Sequence, residues 1–297
     1  MNEPLLSIYC ITYNHRNYIV GAIESFLMQK TTFSFKIVIG EDCSTDGTKE
    51  IVLEYAKKYP DIIRVITSKK NVGAINNSIR TLNACKGKYI AICEGDDYWT
   101  DPLKLQKQVD FLEENPDYSL CFHNTLILYD DKSHPPRYFC SKYQKKVSIV
   151  EDVIKKWFIP SASMVIRKNM LELPSWFNKV YNGDWTLHLL LSLKGKIGYL
   201  DEVMSVYRKS LNPCSLSNVY KGKAFIINQE QIKILQFYNE YTEFRYNELI
   251  QNKIIILRKL IRRGKLKISN PILYYITNPL NILHFIKSFI YKKYFNN

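Results

Sequence analysis

Three carboxylates lie within four residues of one another in the segment Glu94–Trp99. The apolar run Tyr89–Cys93, which is typical of a buried strand, comes directly before them. Carboxylates at this density repel one another unless a cation lies among them. Their hard oxygen atoms suit Mg²⁺ or Mn²⁺, which commonly bridge a protein carboxylate and a substrate phosphate. A polar surface turn is the alternative, but the position after a strand favours a metal site.

A second polar segment, Glu41–Thr48, follows the apolar run Phe35–Gly40. Asp42 would point into the cleft beyond this strand, where its carboxylate could accept a hydrogen bond from a nucleobase N–H. Thr45 and Asp46 are better explained as N-cap residues of the next helix.

A third polar segment, Cys10–His15, follows the first apolar run, Leu5–Ile11. Tyr13 could pack against a nucleobase while backbone groups hold the ribose. His15 is expected to lie at the surface. A strand followed by Tyr-Asn is common, so this segment indicates a binding site only in combination with the elements around it.

Strand and helix patterns alternate through the first hundred residues, with turns such as Asn71–Gly73 between them. Single helices between strands imply right-handed βαβ units and a mostly parallel sheet with helices on both faces. Ligands of such sheets bind beyond the carboxyl ends of the strands, where all three polar segments lie. Further along, the pattern predicts helices at Pro102–Glu114 and Trp185–Leu193, and strands at Ser119–Tyr129 and Ile197–Arg208.

The order and spacing of these segments resemble those of the family 2 glycosyltransferases, which have the GT-A fold. The resemblance extends from Leu5 to Arg208. The matching pieces are Ser7–Asn14, Glu41–Thr48, Asn71–Gly73, Glu94–Trp99, Asn182–Trp185 and Gly198–Arg208. It implies an α/β fold with a GT-A (Rossmann-like), mostly parallel central sheet. The implied domain covers residues 1–218, with a nucleotide-sugar half at 1–100 and an acceptor half at 101–218.

The resemblance also implies a donor site for a nucleotide-diphosphate sugar, by family habit a UDP-sugar. Asp42 would read the base, Asp96 would face the ribose, and Asp97 would bind Mn²⁺ or Mg²⁺ on the diphosphate. The other nucleotide-sugar contacts that the resemblance implies are Thr12, Tyr13, Asn71, Gly73 and Arg208. One departure is the stretch Tyr207–Asn212, which lacks the histidine that many relatives carry after this Tyr-Arg pair. Arg208 or Lys209 could hold the diphosphate instead.

Asp184 matches the aspartate that acts as general base in inverting members of the family. A sugar hydroxyl is a poor nucleophile, so a carboxylate has to take its proton during attack. Asp184 also opens an apolar helix, which fits an N-cap, and both interpretations stay open. A catalytically silent subunit that binds a nucleotide sugar or glycan in a membrane assembly is the alternative function.

The acceptor side is predicted to involve Ser161, Tyr181 and Trp185, because aromatic faces suit sugar rings. For Trp157 and Phe158, plain core packing is equally open. The expected acceptor is a hydroxyl of a glycan or of a lipid-linked saccharide.

The C-terminal part of the chain carries most of its excess positive charge. The net charge is +14, and residues 249–297 contain ten Lys or Arg and no Asp or Glu. We expect residues 219–297 to form an amphipathic, helical basic region on an anionic membrane surface. A solvated tail is the alternative, and no nucleic-acid motif supports a nucleic-acid partner.

The cysteine pattern and the N-terminus bear on the cellular compartment. Seven scattered cysteines without a C-x-x-C pair fit free thiols in a reducing cytosol. The start of the sequence lacks the basic region of a secretory signal. We therefore expect a cytoplasmic protein that is peripheral on the inner face of the cell membrane.

Overall fold

The computed structural model describes residues 3–209, 218 and 223–269, with side chains described as far as residue 264. The chain forms two compact units, Met1–Val219 and Tyr220–Asn297.

The first unit is an α/β structure built around one sheet. Its strands are β1 (Leu6–Thr12), β2 (Phe35–Glu41), β3 (Ile63–Ile66), β4 (Tyr89–Ile92), β5 (Tyr98–Trp99), β6 (Tyr118–Tyr129), β7 (Arg137–Tyr138), β8 (Val147–Ser148), β9 (Val165–Arg167) and β10 (Lys196–Lys209). Its helices are α1 (Ile19–Leu27), α2 (Thr48–Lys58), α3 (Ala74–Ala84), α4 (Lys104–Glu114), α5 (Val150–Lys155) and α6 (Gly183–Ser192).

The sheet follows the order β3-β2-β1-β4-β9-β6-β10-β5. β1 pairs in parallel with β2 and β4, β2 with β3, and β6 with β10. β9 is antiparallel to both β4 and β6, and β5 is antiparallel to β10. The predicted α/β fold with a mostly parallel central sheet is therefore confirmed, with β9 and β5 running against the other strands of this order.

Burial explains why the first strands are so apolar. β1 and β4 lie inside the sheet, and nearly every residue of both is buried. Helix α1 buries Ile19, Ile23 and Phe26 against this core, and the Phe26 ring lies 4.8 Å from that of Trp99. Such burial contributes on the order of 2 kcal/mol per large side chain, which fixes the carboxyl edge of the strands.

The described part of the second unit consists of two helices, α7 (Ala224–Tyr241) and α8 (Asn247–Ser269), that pack against each other. Their buried residues are Ile234, Leu235, Tyr238, Asn239, Ile250, Ile254 and Leu257. Within the described ranges, no helix combines the length and the apolar character needed to cross a membrane. The part of the predicted basic region from residue 270 onward lies outside the described residues.

Candidate functional site

The acidic segment after β4 lies against the end of β1. The amide of Gly95 donates to the carbonyl of Ile11 at 3.0 Å. A Cβ on Gly95 would lie only 2.8 Å from Oγ1 of Thr12, which is closer than non-bonded atoms allow. Only glycine therefore lets this acidic loop approach β1 so closely.

Asp97 is almost completely buried, with 3% of its surface exposed. Its Oδ1 accepts a hydrogen bond from the backbone N–H of Arg208 at 2.8 Å. Burial raises the pKa of Asp97 well above its usual value and the charge of Asp96 adds to this, while the Arg208 amide lowers it. A cation beside Asp97 would relieve both penalties.

Asp184 joins this acidic segment from the other half of the unit. Oγ of Ser161 donates to Oδ2 of Asp184 at 2.5 Å. Burial raises the pKa of Asp184, and the Ser161 hydrogen bond partly offsets the rise. The pKa of Glu94 is also raised, mainly by burial and then by the charge of Asp184, so these two carboxylates share one site.

The cap of α6 is Asn182, whose side chain accepts a hydrogen bond from the amide of Trp185 at 3.0 Å. Asp184 lies in the first turn of this helix, where a carboxylate is favoured by the helix dipole. The capping role that the sequence left open for Asp184 thus belongs to Asn182.

Asp42, Asn71 and Gly73 come together at the end of β2. The two carboxylate oxygens of Asp42 accept the amides of Val72 and Gly73, each at 2.9 Å. Nη2 of Arg80 lies 3.5 Å from Oδ1 of Asp42. Oδ1 of Asn71 accepts the Gly73 amide as well, at 2.9 Å. Asp42 therefore holds this turn in place, and only 2% of its surface is exposed.

The turns that follow β1 and β2 are joined to each other. Asn14 has a φ of 55°, a left-handed conformation that Asn tolerates. The hydrogen bonds between the turns run from Asn14 N to Ser44 Oγ (3.0 Å), His15 N to Thr48 Oγ1 (2.8 Å) and Arg16 N to Asp46 Oδ2 (3.0 Å). Oδ1 of Asp46 also accepts the amide of Thr48, the first residue of α2. The N-cap position itself is held by Gly47, so the prediction of Thr45 or Asp46 as the N-cap is wrong.

Arg208, near the end of β10, packs its guanidinium against two tyrosine rings. The guanidinium of Arg208 lies 4.4 Å from the ring centre of Tyr98 and 5.4 Å from that of Tyr18. Its Nη1 donates to the carbonyl of Asp96 at 3.4 Å. Arg208 is thereby held beside the acidic loop by two rings and a hydrogen bond.

Lys209 is the next residue on β10 and is partly buried. Burial lowers the pKa of Lys209, whereas the nearby charges of Asp97 and Asp96 raise it. Positive charge therefore borders the acidic loop on this side.

His15 was expected at the surface, and this expectation is wrong. Its side chain is only 13% exposed, and its Nε2 lies 3.8 Å from Oδ2 of Asp96. No local pattern around His15 indicates this, because the contact depends on the pairing of β1 with β4.

Of the residues predicted for the acceptor side, Ser161 contacts Asp184 and Tyr181 is partly buried just before α6. Trp185 is 1% exposed, and its indole N–H donates to the carbonyl of Val153 at 3.0 Å. Its ring therefore supports the core and offers no face to an acceptor, contrary to the prediction. Trp157 is 38% exposed and packs edge-on against Phe139.

Within the described part of the chain, no three His, Cys, Asp or Glu side chains form a group able to hold a metal ion by themselves. The buried carboxylate of Asp97 still offers the hard oxygen donor that Mg²⁺ or Mn²⁺ prefers. An ion here would fit if substrate phosphates completed its coordination.

Two relatives show what this sequence is similar to. An uncharacterised protein of Mycobacterium tuberculosis is 38% identical over 207 residues, which cover 69% of this chain and 58% of that protein. The chain thus matches little more than half the length of this relative. TuaG of Bacillus subtilis, named as a teichuronic acid biosynthesis glycosyltransferase, is 27% identical over 224 residues, or 74% of this chain and 84% of TuaG.

Two solved structures share the fold. Residues 1–349 of S. aureus TarS match with a TM-score of 0.61 at 17% identity, covering 89% of this chain and 74% of that one. The mannosyltransferase PcManGT of Pyrobaculum calidifontis, solved with GDP-Man and Mn²⁺, matches with a TM-score of 0.59 at 13% identity, covering 98% and 81%. The predicted GT-A fold is confirmed. The family model described as glycosyl transferase family 2 matches residues 7–174, more than half of the sequence, and the chain belongs to that family.

Proposed function

We propose that this chain is an inverting glycosyltransferase that moves a sugar from a nucleotide-diphosphate donor, with UDP as the first candidate, to an acceptor hydroxyl. The observation that carries the proposal is that Asp184 lies beside Glu94, which opens the acidic loop containing Asp96 and Asp97. A base for the acceptor and a site for the diphosphate would then lie side by side.

In the proposed reaction Asp184 takes the proton of the acceptor hydroxyl. The acceptor oxygen bonds to the anomeric carbon as the bond from that carbon to the phosphate oxygen breaks. The electron pair leaves with the nucleoside diphosphate, and attack from the opposite face inverts the anomeric configuration. The raised pKa of Asp184 makes its ionised carboxylate a stronger base, and the hydrogen bond from Ser161 orients that carboxylate.

The leaving diphosphate gathers negative charge that the site has to offset. Arg208 and Lys209 border the acidic loop and could contact the phosphates, while Asp96 would bind the ribose. Asp97 would hold Mn²⁺ or Mg²⁺, which would supply Lewis-acid stabilisation of the leaving group.

The solved relatives support this choice of donor class. TarS has been crystallised with UDP and with UDP-GlcNAc, and PcManGT was solved with GDP-Man and Mn²⁺. These ligands belong to those proteins, and they make UDP and GDP the first nucleotides to test.

The acceptor is proposed to be a glycan or a lipid-linked saccharide at the inner face of the cell membrane. Helix α8 presents exposed apolar residues among exposed basic ones, which suits an interface with anionic lipids. These residues are Ile255, Ile256, Leu260, Arg258, Lys259, Arg262 and Arg263. Ser161 and Tyr181 are the proposed contacts on the acceptor side of Asp184.

The proposal is tested by thermal unfolding with UDP, GDP, CDP and ADP, each with and without Mn²⁺. A ligand at about a hundred times its dissociation constant adds roughly 2.7 kcal/mol, which is enough to shift the melting temperature by several degrees. We expect a metal-dependent shift with one diphosphate. A folded protein that responds to none of them would refute the proposal, whereas binding without transfer to any acceptor would favour a catalytically silent subunit.

A further inference from the structure

We propose that His15 is a positioning residue of the donor site, which orients the carboxylate of Asp96 on the nucleotide ribose through a hydrogen bond from Nε2. The inference rests on the proposed function, because it takes Asp96 as the ribose ligand. Nothing in the sequence around His15 suggests such a role.

The backbone of His15 is fixed on both sides. Its N–H donates to Oγ1 of Thr48 at 2.8 Å, across the joined turns after β1 and β2. Its carbonyl accepts the amides of Tyr18 and Ile19, at 2.8 and 2.9 Å, where α1 begins. The direction of the side chain is therefore set by a rigid part of the fold.

The imidazole lies between α1 and the acidic loop. It packs edge-on against Tyr18, with ring centres 6.5 Å apart. Both His15 and Asp96 are largely buried, with 13% and 15% of their side chains exposed. The distance of 3.8 Å between Nε2 and Oδ2 exceeds that of a hydrogen bond by about 1 Å, so the proposed bond requires the two side chains to move together by that amount.

The surroundings of the other ring nitrogen decide which nitrogen carries the hydrogen. Nδ1 of His15 is buried and has no hydrogen-bond partner among the described residues. A hydrogen on Nδ1 would bury an unsatisfied donor and turn the lone pair of Nε2 towards a carboxylate. The tautomer with the hydrogen on Nε2 avoids both penalties, so the ring faces Asp96 as a donor.

Asp96 needs such a donor because its carboxylate lies next to other negative charges. The charge of Asp96 raises the pKa of both Glu94 and Asp97. The guanidinium of Arg208 donates to the backbone carbonyl of Asp96 and not to its carboxylate, which leaves the carboxylate to be oriented by another group. Nε2 of His15, 3.8 Å from Oδ2 of Asp96, is placed to supply that donor.

The test uses a matched pair of variants. In His15→Gln the amide N–H lies near the position of Nε2, and in His15→Asn it lies near that of Nδ1. Calorimetry at fixed Mn²⁺ measures their affinity for UDP and for 2′,3′-dideoxy-UDP, whose ribose has no hydroxyls for Asp96. If the wild-type protein binds another nucleoside diphosphate more tightly than UDP, that nucleotide and its dideoxy form are used instead of UDP and dideoxy-UDP.

We expect His15→Asn and His15→Ala to weaken binding of the intact nucleotide by roughly tenfold, as for a lost hydrogen bond to a charged group. His15→Gln should stay within about threefold of the wild type, and the dideoxy nucleotide should bind all forms within about twofold. Adding His15→Ala to Asp96→Ala should cost nothing more, since coupled residues are not additive.

If a variant lost equal affinity for the intact and the dideoxy nucleotide, or if the Gln and Asn variants had equal affinities, the role of His15 would be overturned. The proposed function would still stand. A wild-type protein that binds no nucleoside diphosphate would overturn the proposed function and this inference together. Matching unfolding temperatures of the Gln and Asn variants would exclude a difference in folding.

Discussion

Oγ of Ser161 lies 2.5 Å from Oδ2 of Asp184, so a short 3₁₀ turn and helix α6 meet at the proposed base. The hydroxyl holds the carboxylate and also stabilises its ionised form, which burial disfavours. The same contact therefore orients Asp184 and limits how far burial raises its pKa.

Replacing Ser161 with alanine should move the acidic limb of the pH–rate profile to higher pH. Burial raises the pKa of Asp184 and the Ser161 bond lowers it, so losing that bond raises the pKa further. The base works only when ionised, so on acidification the variant should lose activity at a higher pH than the wild type does. The measurement is kcat/KM from pH 5 to 9, with Ser163→Ala on the same turn as control. An unchanged acidic limb would show that Ser161 does not affect the pKa of the base.

Asp184→Asn should lower kcat for transfer by about 10³-fold, because general-base catalysis contributes that much. Affinity for the nucleotide donor should stay within about twofold of the wild type, since the substitution leaves Asp97 and Arg208 in place. Transfer assays and calorimetry on the same preparation measure both. Retained turnover would assign the base to another carboxylate.

Asp97→Asn should stabilise the ligand-free protein at neutral pH. Since folding raises the pKa of Asp97, its contribution to stability is full below the pKa of the unfolded chain and is lost as pH rises through the folded pKa. An amide does not ionise, so the variant should melt a few degrees higher at pH 7.5 and nearly equally at pH 4. The same variant should lose the shift produced by Mn²⁺ with a nucleotide. A lower melting temperature at pH 7.5 would contradict the role of burial.

Gly95→Ala should weaken both the fold and donor binding. The new Cβ would lie 2.8 Å from Oγ1 of Thr12, so the acidic loop has to move away from β1. Overpacking of this kind costs about 1–3 kcal/mol, which denaturant unfolding can measure. Gly264→Ala in helix α8 is the control, because its Cβ would meet nothing closer than 3.7 Å and lies outside the unit that carries the site. Similar effects of the two substitutions would rule out the close approach as the cause.

Neutralising Arg258 and Arg262 with glutamine should weaken binding to vesicles that contain phosphatidylserine. Each basic residue near an anionic surface contributes on the order of 1 kcal/mol, so the pair should cost about tenfold or more. Both side chains are exposed on α8. Sedimentation with anionic and zwitterionic vesicles measures the change, and Lys57→Gln with Lys58→Gln on α2 removes the same charge elsewhere. Equal losses for the two pairs would show a dependence on net charge alone.

The strands and helices that position the site could be predicted because their patterns are local. β1, β4 and α1 carry runs or spacings of apolar residues that follow from burial on both faces of the sheet. The short strands β5 and β8 and the six-residue helix α5 were not predicted, because so few residues carry no periodic pattern.

The contacts within the site were less predictable, since they join distant parts of the chain. Asp42 could be chosen from its position after β2, but its bonds to the turn at Val72 and Gly73 depend on packing. Trp185 was assigned to the acceptor because of its residue type, and only its burial reveals a core role.

The joined turns after β1 and β2 bear on the engineering of nucleotide preference. Because Asn14 and His15 donate to Ser44 and Thr48, neither turn has an independent conformation. Grafting a Glu41–Thr48 segment that lacks side-chain acceptors at positions 44, 46 and 48 would break these bonds, and replacing Asn14 would remove the bond from the Thr45 amide to its Oδ1. The turns after β1 and β2 therefore form one structural unit, and variant libraries aimed at donor specificity have to vary both turns together.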